Sequence, residues 1–343
     1  MEELIKLQKK IVPEITDLLE RRYNILRAVY YNQPAGRRAI AEELNIGERI
    51  VRGEVNFLRD QNLLNINTEG MTVTEAGEQL LEKLSKYIFE LKGLSDIEEW
   101  IKNKTGLKNI IIVPGDMEGD SNVSADVGRT AGEYIKGALK DNSIIALTGG
   151  TTVQAVVDNF PEASGYKNII VVPARGGVGK SVENQANTLA AKLAEKMGGS
   201  YKLLHSPDNI GREAMEAILK EKEVKDVLEV LQKTDLLIHG IGRMDKMAFR
   251  RGLENGEIQH LQKLGAVGEA FGCYFDRQGR VVYASTTIGI KNELVKNIKV
   301  LVAVAGGTSK AEAILSVIKN NNNMTLVTDE GAAKEILRIL DNE

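Results

Sequence analysis

The chain has 343 residues with a formal net charge of −3; 43% of them are hydrophobic, 27% charged and 5% aromatic. That length suits two domains of ordinary size, and the balance is that of a globular α/β protein rather than a disordered one. The single cysteine, Cys273, excludes an internal disulfide, and His205, His239 and His260 show no metal-ligand spacing, so neither a metal nor another cofactor is expected.

The opening Met1-Glu2-Glu3-Leu4-Ile5-Lys6 carries acidic residues where a signal peptide needs an apolar core. With no apolar run of membrane-spanning length, a cytoplasmic location without membrane contact is expected. Apolar residues Ile15, Leu18, Leu19, Ile25, Leu26 and Val29 then predict a helix over 14–31, with Pro13 in its first turn. The break Asn32-Gln33-Pro34-Ala35-Gly36 separates it from a short helix over Arg37 to Leu44. The turn Asn45-Ile46-Gly47 and a helix from Glu48 to about Gln61 complete a helix-turn-helix. Leu64 to Ile66 and Met71 to Thr74 read as a hairpin wing, and Thr74 can cap a helix reaching about Leu91.

On the helix from Glu48, Val51, Val55 and Leu58 form an apolar stripe, while Arg49, Arg52, Asn56 and Arg59 share another face. Arginine and asparagine are the residues that pair with guanine and adenine edges, and Arg37 and Arg38 would meet phosphates. A solvated, ion-paired helix is the bland alternative, since Glu48, Glu54 and Asp60 are interspersed. Charge adds little, because residues 1–60 hold eleven Lys/Arg against ten Asp/Glu. The turn and the wing carry the expectation of operator DNA as a partner.

From about Leu94 the rhythm becomes strand, Gly-rich loop, helix. Apolar runs at 110–113, 144–147, 168–172, 235–238, 298–304 and 324–327 predict a mostly parallel sheet covered by helices such as 183–197, 311–319 and 331–340. The expected division is 1–92 for the DNA-binding domain with its linker helix and 93–343 for an effector domain. Two strands end in the same way: Ala146-Leu147-Thr148-Gly149-Gly150-Thr151-Thr152 and Val304-Ala305-Gly306-Gly307-Thr308-Ser309-Lys310. Glycines admit an anion close to the backbone, and the hydroxyls and helix N–H groups then hold it. Two such cradles predict a ligand with phosphate at both ends. Pro173-Ala174-Arg175-Gly176-Gly177 supplies a third loop, with Arg175 and Lys310 as cations.

Other readings stay open. Ala174 to Ser181 differs from a nucleotide P-loop only at its first glycine, and Asp329 can stand for the magnesium carboxylate, so a nucleotide-dependent protein is one alternative. A sugar-phosphate isomerase or deaminase is another, with His239 as its one candidate base. The acidic run Asp116-Met117-Glu118-Gly119-Asp120 reads as a solvated turn without calcium-loop spacing.

Taken together, A-G-R-R at 35–38, G-E-R-I-V-R-G-E-V at 47–55, A-L-T-G-G-T-T at 146–152, V-P-A-R-G-G at 172–177, N-Q-A-N at 184–187 and V-A-G-G-T-S-K-A-E-A-I at 304–314 resemble the SorC/DeoR-type sugar-sensing regulators. The resemblance covers almost the whole chain and is strongest to the branch that controls glycolytic genes in Gram-positive bacteria. It implies a winged helix-turn-helix domain followed by a Rossmann-like effector domain similar to sugar-phosphate isomerases, used as a sensor and without catalytic residues. It further implies repression of glycolytic genes, fructose 1,6-bisphosphate as effector, and homodimers assembling into tetramers on DNA. Carried onto matching positions, Gly149, Gly150, Thr151 and Thr152 would cradle one phosphate and Arg175 and Lys310 would add charge. Gln185 and Glu269 would bond sugar hydroxyls, while Arg250 and Arg251 would reach a phosphate.

Overall fold

A computed structural model describes residues 11–163, 165–177, 181–207 and 211–342. The chain divides into two units: residues up to Ile97 together with Gly119–Asn122, and Glu98–Glu118 together with the chain from Val123 onward.

In the first unit, helices Pro13–Asn32, Arg37–Glu43 and Glu48–Asp60 pack around Ile25, Leu26, Val29, Ile40, Val51, Val55 and Leu58. The tight turn between the second and third helices places Asn45 at φ 51°, a left-handed conformation that asparagine tolerates. Strands β1 (Leu64–Ile66) and β2 (Met71–Val73) pair antiparallel, Leu64 opposite Val73, with Leu64 and Met71 pointing into the same core. Helix Glu75–Leu91 begins at Thr74, whose Oγ1 accepts from the Gly77 amide at 3.1 Å. Gly77 is obligatory there, because a Cβ would run into the Leu63 carbonyl.

The second unit contains β3 (Asn109–Val113), β4 (Ile144–Leu147), β5 (Ile170–Pro173), β6 (Ser200–Tyr201) and β7 (Leu236–Gly240). It continues through β8 (Gly242–Arg243), β9 (Ala266–Ala270), β10 (Cys273–Asp276), β11 (Val281–Ala284), β12 (Val300–Val304) and β13 (Thr325–Asp329). Seven of these form one sheet in the order β3-β13-β12-β7-β4-β5-β6 with every pairing parallel. Strands buried on both faces need continuous apolar runs, which is why Ile144–Leu147 and Val300–Val304 were legible. Val123, Val127, Ala131 and Ile135 of helix Ser121–Ala138 join Leu189, Ala190 and Leu193 of helix Ala186–Met197 in the core around the sheet.

The order of strands sets the geometry of the loops. β4 and β12, which lead into the two Gly-Gly-Thr loops, are separated by β7 alone. Both loops therefore open at the same carboxyl edge of the sheet, where open α/β sheets take their ligands. Beside that sheet, β8 to β11 make a second, antiparallel sheet in the order β11-β10-β9-β8 that the periodicity did not announce. Its β9–β10 hairpin turns through Phe271 and Gly272, both left-handed at φ 54° and 75°, as a type I′ turn requires. Three expected elements start two or three residues later than expected: the strand expected at 168–172 runs Ile170–Pro173, that expected at 298–304 begins at Val300, and the helix expected at 183–197 begins at Ala186.

Candidate functional site

Residues from both sheets and four loops converge on one cavity with about 770 Å³ of free space, part of it open to solvent. All ten sequence-predicted effector residues line it: Gly149, Gly150, Thr151, Thr152, Arg175, Gln185, Arg250, Arg251, Glu269 and Lys310.

The first Gly-Gly-Thr loop joins a strand to a helix. β4 ends at Leu147, Gly149 and Gly150 turn the chain, and helix Thr151–Asp158 starts with its first-turn amides directed to the cavity edge. Gly150 takes φ 128° and ψ 160°, outside the reach of an L side chain, and its amide is bonded to the Asn184 carbonyl at 2.9 Å. A Cβ on Gly149 would strike that carbonyl at 2.7 Å, so the glycine pair and the N-Q-A-N loop fit only each other. Thr148 supports the floor, its Oγ1 accepting from the Gly240 amide at 3.3 Å.

Opposite this cradle lies a cluster of arginines organised by one carboxylate. Glu269 is 4% exposed, and its Oε1 accepts from Arg251 Nη2 at 2.8 Å, from the Gly272 amide at 2.6 Å and from Arg175 Nη1 at 3.5 Å. Arg251 also donates from Nη1 to Ser285 Oγ at 3.1 Å. Arg250 donates to Asn184 Oδ1 at 2.7 Å and so ties its helix, Met244–Arg250, to the loop that carries Gln185. A buried guanidinium needs an anionic partner, and the one carboxylate of Glu269 holds those of Arg175 and Arg251 at the cavity wall. The resemblance assigned Glu269 to sugar hydroxyls. In the structure Oε1 is committed to the arginines, which leaves Oε2 as the oxygen available to a hydroxyl.

The second Gly-Gly-Thr loop departs from the expectation of a phosphate cradle. The Gly307 amide donates to Asp329 Oδ2 at 2.8 Å, and the Ser309 amide donates to both Glu118 oxygens at 3.2 and 3.3 Å. The Ser309 hydroxyl bonds Glu118 as well, and Thr308 Oγ1 donates to Asp116 Oδ2 at 2.6 Å. Carboxylates of the chain itself thus fill the nest that was assigned to an external phosphate. The run Asp116 to Glu118 is accordingly not a plain solvated turn but the clasp of this loop. Only Lys310, at the end of the short helix Thr308–Lys310, reaches the cavity. Burial lowers its pKa, and the carboxylates of Asp329 and Glu118 oppose that effect.

Two residues raised by the alternative readings are engaged within the fold. Asp329 is fully buried and caps the helix Glu330–Asp341 by accepting from the Ala332 amide at 2.9 Å, while its other oxygen holds the Met117 and Gly307 amides. It thus organises backbone at the end of β13, and three strands separate β13 from β5 in the sheet. In that nucleotide-loop look-alike, Val178, Gly179 and Lys180 lie outside the described residues. His239 is 0% exposed, approaches the Gly240 carbonyl through Nδ1 at 3.1 Å and packs on Phe271 with ring centroids 4.3 Å apart. Burial lowers its pKa to about 4, so it is a neutral ring inside the wall and is not among the cavity-lining residues.

Sequence reasoning missed several wall residues. Thr148 and Asn184 sit inside motifs already singled out, so their neighbours were the available signal. Met247 and Phe271 also line the cavity; for Phe271 the cue was the following glycine, which marks the hairpin turn.

In the first unit, Arg49, Arg52 and Arg59 are exposed on helix Glu48–Asp60, Asn56 is half-buried, and Val51, Val55 and Leu58 are buried on its other face. Arg38 is exposed and Arg37 half-buried at the start of the preceding helix. Two of these cations have acidic neighbours: Arg59 bonds Asp60 at 2.7 Å, and Arg38 lies 3.5 Å from Glu48. Glu54 is turned away to Arg22 at 2.7 Å, which clears the arginine face of one carboxylate.

Comparison with known proteins adds the following. Residues 90–338 match the model of a sugar-binding domain (Sugar-bind), and residues 18–88 match that of the CggR N-terminal DNA binding domain. The chain is 41% identical over 338 residues to the central glycolytic genes regulator of Bacillus subtilis, covering 98% of this chain and 99% of that protein. It is likewise 41% identical over 340 residues to the regulator of that name from Priestia megaterium, covering 98% and 99%. Among solved structures, a SorC family transcriptional regulator from Enterococcus faecalis matches with a TM-score of 0.66 at 35% identity, covering 71% of this chain and 99% of that one. The full-length sorbitol operon regulator SorC from Klebsiella pneumoniae shares the fold over 94% of this chain and 99% of its own, with a TM-score of 0.63 at 21% identity.

Proposed function

The chain belongs to the SorC-type family of sugar-binding transcriptional regulators, in the branch of the central glycolytic genes regulators, and on that premise we propose that it represses glycolytic genes under the control of fructose 1,6-bisphosphate. The observation that carries the effector reading is the charge of the cavity. Arg175, Arg250, Arg251 and Lys310 face it with Glu269 as the one carboxylate among the lining residues, and a helix N-terminus closes the far side. One phosphate would rest on Gly149 to Thr152, and the other would meet the arginines, with Gln185 and Glu269 Oε2 toward the sugar between them. Because carboxylates fill the second glycine loop, Lys310 is its only contribution to that arrangement. A sensor is favoured over an isomerase or deaminase by the placement of His239, which is buried against Phe271 and is not among the residues that line the cavity. Arg37, Arg38, Arg49, Arg52, Asn56 and Arg59 would contact operator DNA, and homodimers pairing into tetramers would match a two-fold operator. Repression would then respond to the bisphosphate only to the extent that it binds the two DNA-binding states unequally.

The test is the melting temperature of the full chain with fructose 1,6-bisphosphate, fructose 6-phosphate, glucose 6-phosphate and ATP–magnesium. A ligand bound by the folded state alone raises it by mass action. The largest rise is expected with the bisphosphate, and it should disappear in Thr151→Ala. A rise with ATP–magnesium and none with the bisphosphate would overturn the reading.

A further inference from the structure

The turn Thr308–Lys310 has two faces that do different things. Its last residue, Lys310, lines the effector cavity, while Thr308 and Ser309 are bonded to Asp116 and Glu118. Three consecutive residues of one tight turn cannot move independently. Glu118 is exposed, yet both its oxygens are taken up by Ser309, and the Glu118 amide in turn donates to Asp116 Oδ1 at 2.8 Å. The loop is anchored on its other side by Asp329, which bonds Met117 and Gly307, and by Glu330, which accepts from the Gly115 amide at 2.9 Å. Gly307 makes the arrangement possible: at φ 97° it turns the chain so closely past Glu118 that a Cβ would overlap the carboxylate. The sequence assigned this nest to a ligand, and an internal anion sits in it instead. Glu118 is also the last residue of the second unit before the chain passes, at Gly119, into residues that belong to the first.

We propose that Glu118 is a built-in competitor for the effector: it holds the 307–310 turn when the cavity is empty, and a phosphate that recruits Lys310 loosens that hold and frees the segment leading into Gly119–Asn122. The inference rests on the bisphosphate reading above. The chemistry favours the exchange, because a phosphate monoester carries about −1.5 to −2 charges against the single charge of a carboxylate. The lysine stem is flexible enough to follow it. Glu118 touches no ligand in this scheme and is a positioning residue that acts through Ser309 and Lys310.

The experiment compares full-length wild type with Glu118→Gln and, independently, Ser309→Ala. Titration calorimetry gives the affinity for fructose 1,6-bisphosphate, and operator binding with and without it gives the coupling ratio. Removing the anion in Glu118→Gln, or its hydroxyl anchor in Ser309→Ala, should tighten bisphosphate binding at least threefold and reduce the operator coupling ratio at least threefold. Amide exchange of 115–120 should be faster in both unliganded variants and, in the wild type, should speed up when the bisphosphate is added. A purely structural role would instead weaken the bisphosphate and leave the ratio alone, and that result would overturn the proposal. Variants identical to wild type in both quantities would overturn it while the effector reading stood. A wild type that ignored the bisphosphate would remove both together.

Discussion

Glu269 Oε1 collects three donors, and each comes from a different part of the chain: Arg175 after β5, Arg251 after the helix Met244–Arg250, and the Gly272 amide in the β9–β10 turn. That turn is therefore part of the site. At Gly272, with φ 75°, any Cβ would collide with the Arg175 guanidinium. Gly272→Ala should fold, at a cost of about 1 kcal/mol for the left-handed backbone. It should displace Arg175 and weaken bisphosphate binding by roughly 10- to 100-fold, the range of one charge-assisted hydrogen bond. Calorimetric titration measures it, and an unchanged affinity would show that Arg175 does not meet the ligand. His239 yields a second residue-scale prediction. Its folded pKa of about 4 lies below the ordinary histidine value of 6.5, so between those values the unfolded chain binds the extra proton. Stability from this residue is fully present above pH 6.5 and declines as pH falls toward 4, by up to about 1.4 kcal/mol per pH unit. His239→Phe keeps an aromatic ring on Phe271 and removes the titration. Its melting temperature should drop less than that of the wild type between pH 7 and pH 5, and parallel curves would refute the assignment.

Helix Glu48–Asp60 shows how far an element can be read from its spacing. The stripe Val51, Val55 and Leu58 is buried and the arginines lie outside, because apolar residues at i, i+4 and i+7 can meet one core. What the spacing did not say is which arginines are already engaged. Arg59 bonds Asp60, whereas no ion pair is recorded for Arg49 or Arg52 among the described residues. Arg52→Ala should accordingly cost roughly 1–3 kcal/mol of operator affinity and relax specificity at one base pair, with Arg59→Ala costing less. Anisotropy titrations on single-base operator variants would reveal it, and an Arg59 effect larger than that of Arg52 would reverse the assignment. The cap at Thr74 was equally legible, and Thr74→Ala should remove about 1 kcal/mol from the first unit. Other elements were silent for identifiable reasons. β8 is two residues long and β9 is interrupted by Gly268 and Glu269, while the apolar runs of β10 and β11 fall outside the strand–loop–helix alternation that marked the parallel sheet. The second glycine loop misled because its occupants come from far along the chain: Glu118 and Ser309 are 191 residues apart, a pairing no local pattern encodes. The same cause made Asp116 to Glu118 look like surface.

At the scale of the whole molecule, the charge poses a question that the sites alone do not. The chain is net −3, and a bisphosphate would add about −3 to −4 per subunit. A more acidic protein binds DNA less well, so an effector could weaken operator binding by charge alone, without any conformational change. Such a field effect is open to screening: exposed charges separated by more than about 10 Å are largely screened at 0.1 M salt. The two mechanisms differ in their salt dependence. Operator affinity itself should fall steeply with salt, in proportion to the phosphates neutralised by arginines such as Arg49 and Arg52. If the bisphosphate acted through its field, its effect on affinity would shrink toward nothing as salt rose from 50 to 300 mM. If it acts by choosing between two states of the protein, the ratio of affinities with and without it reports their free-energy difference and should hold within about twofold over that range. The buried, carboxylate-organised cavity and the Glu118 clasp favour the second outcome. A ratio that collapses with salt would mean that the effector domain regulates by charge and that the clasp is structural only.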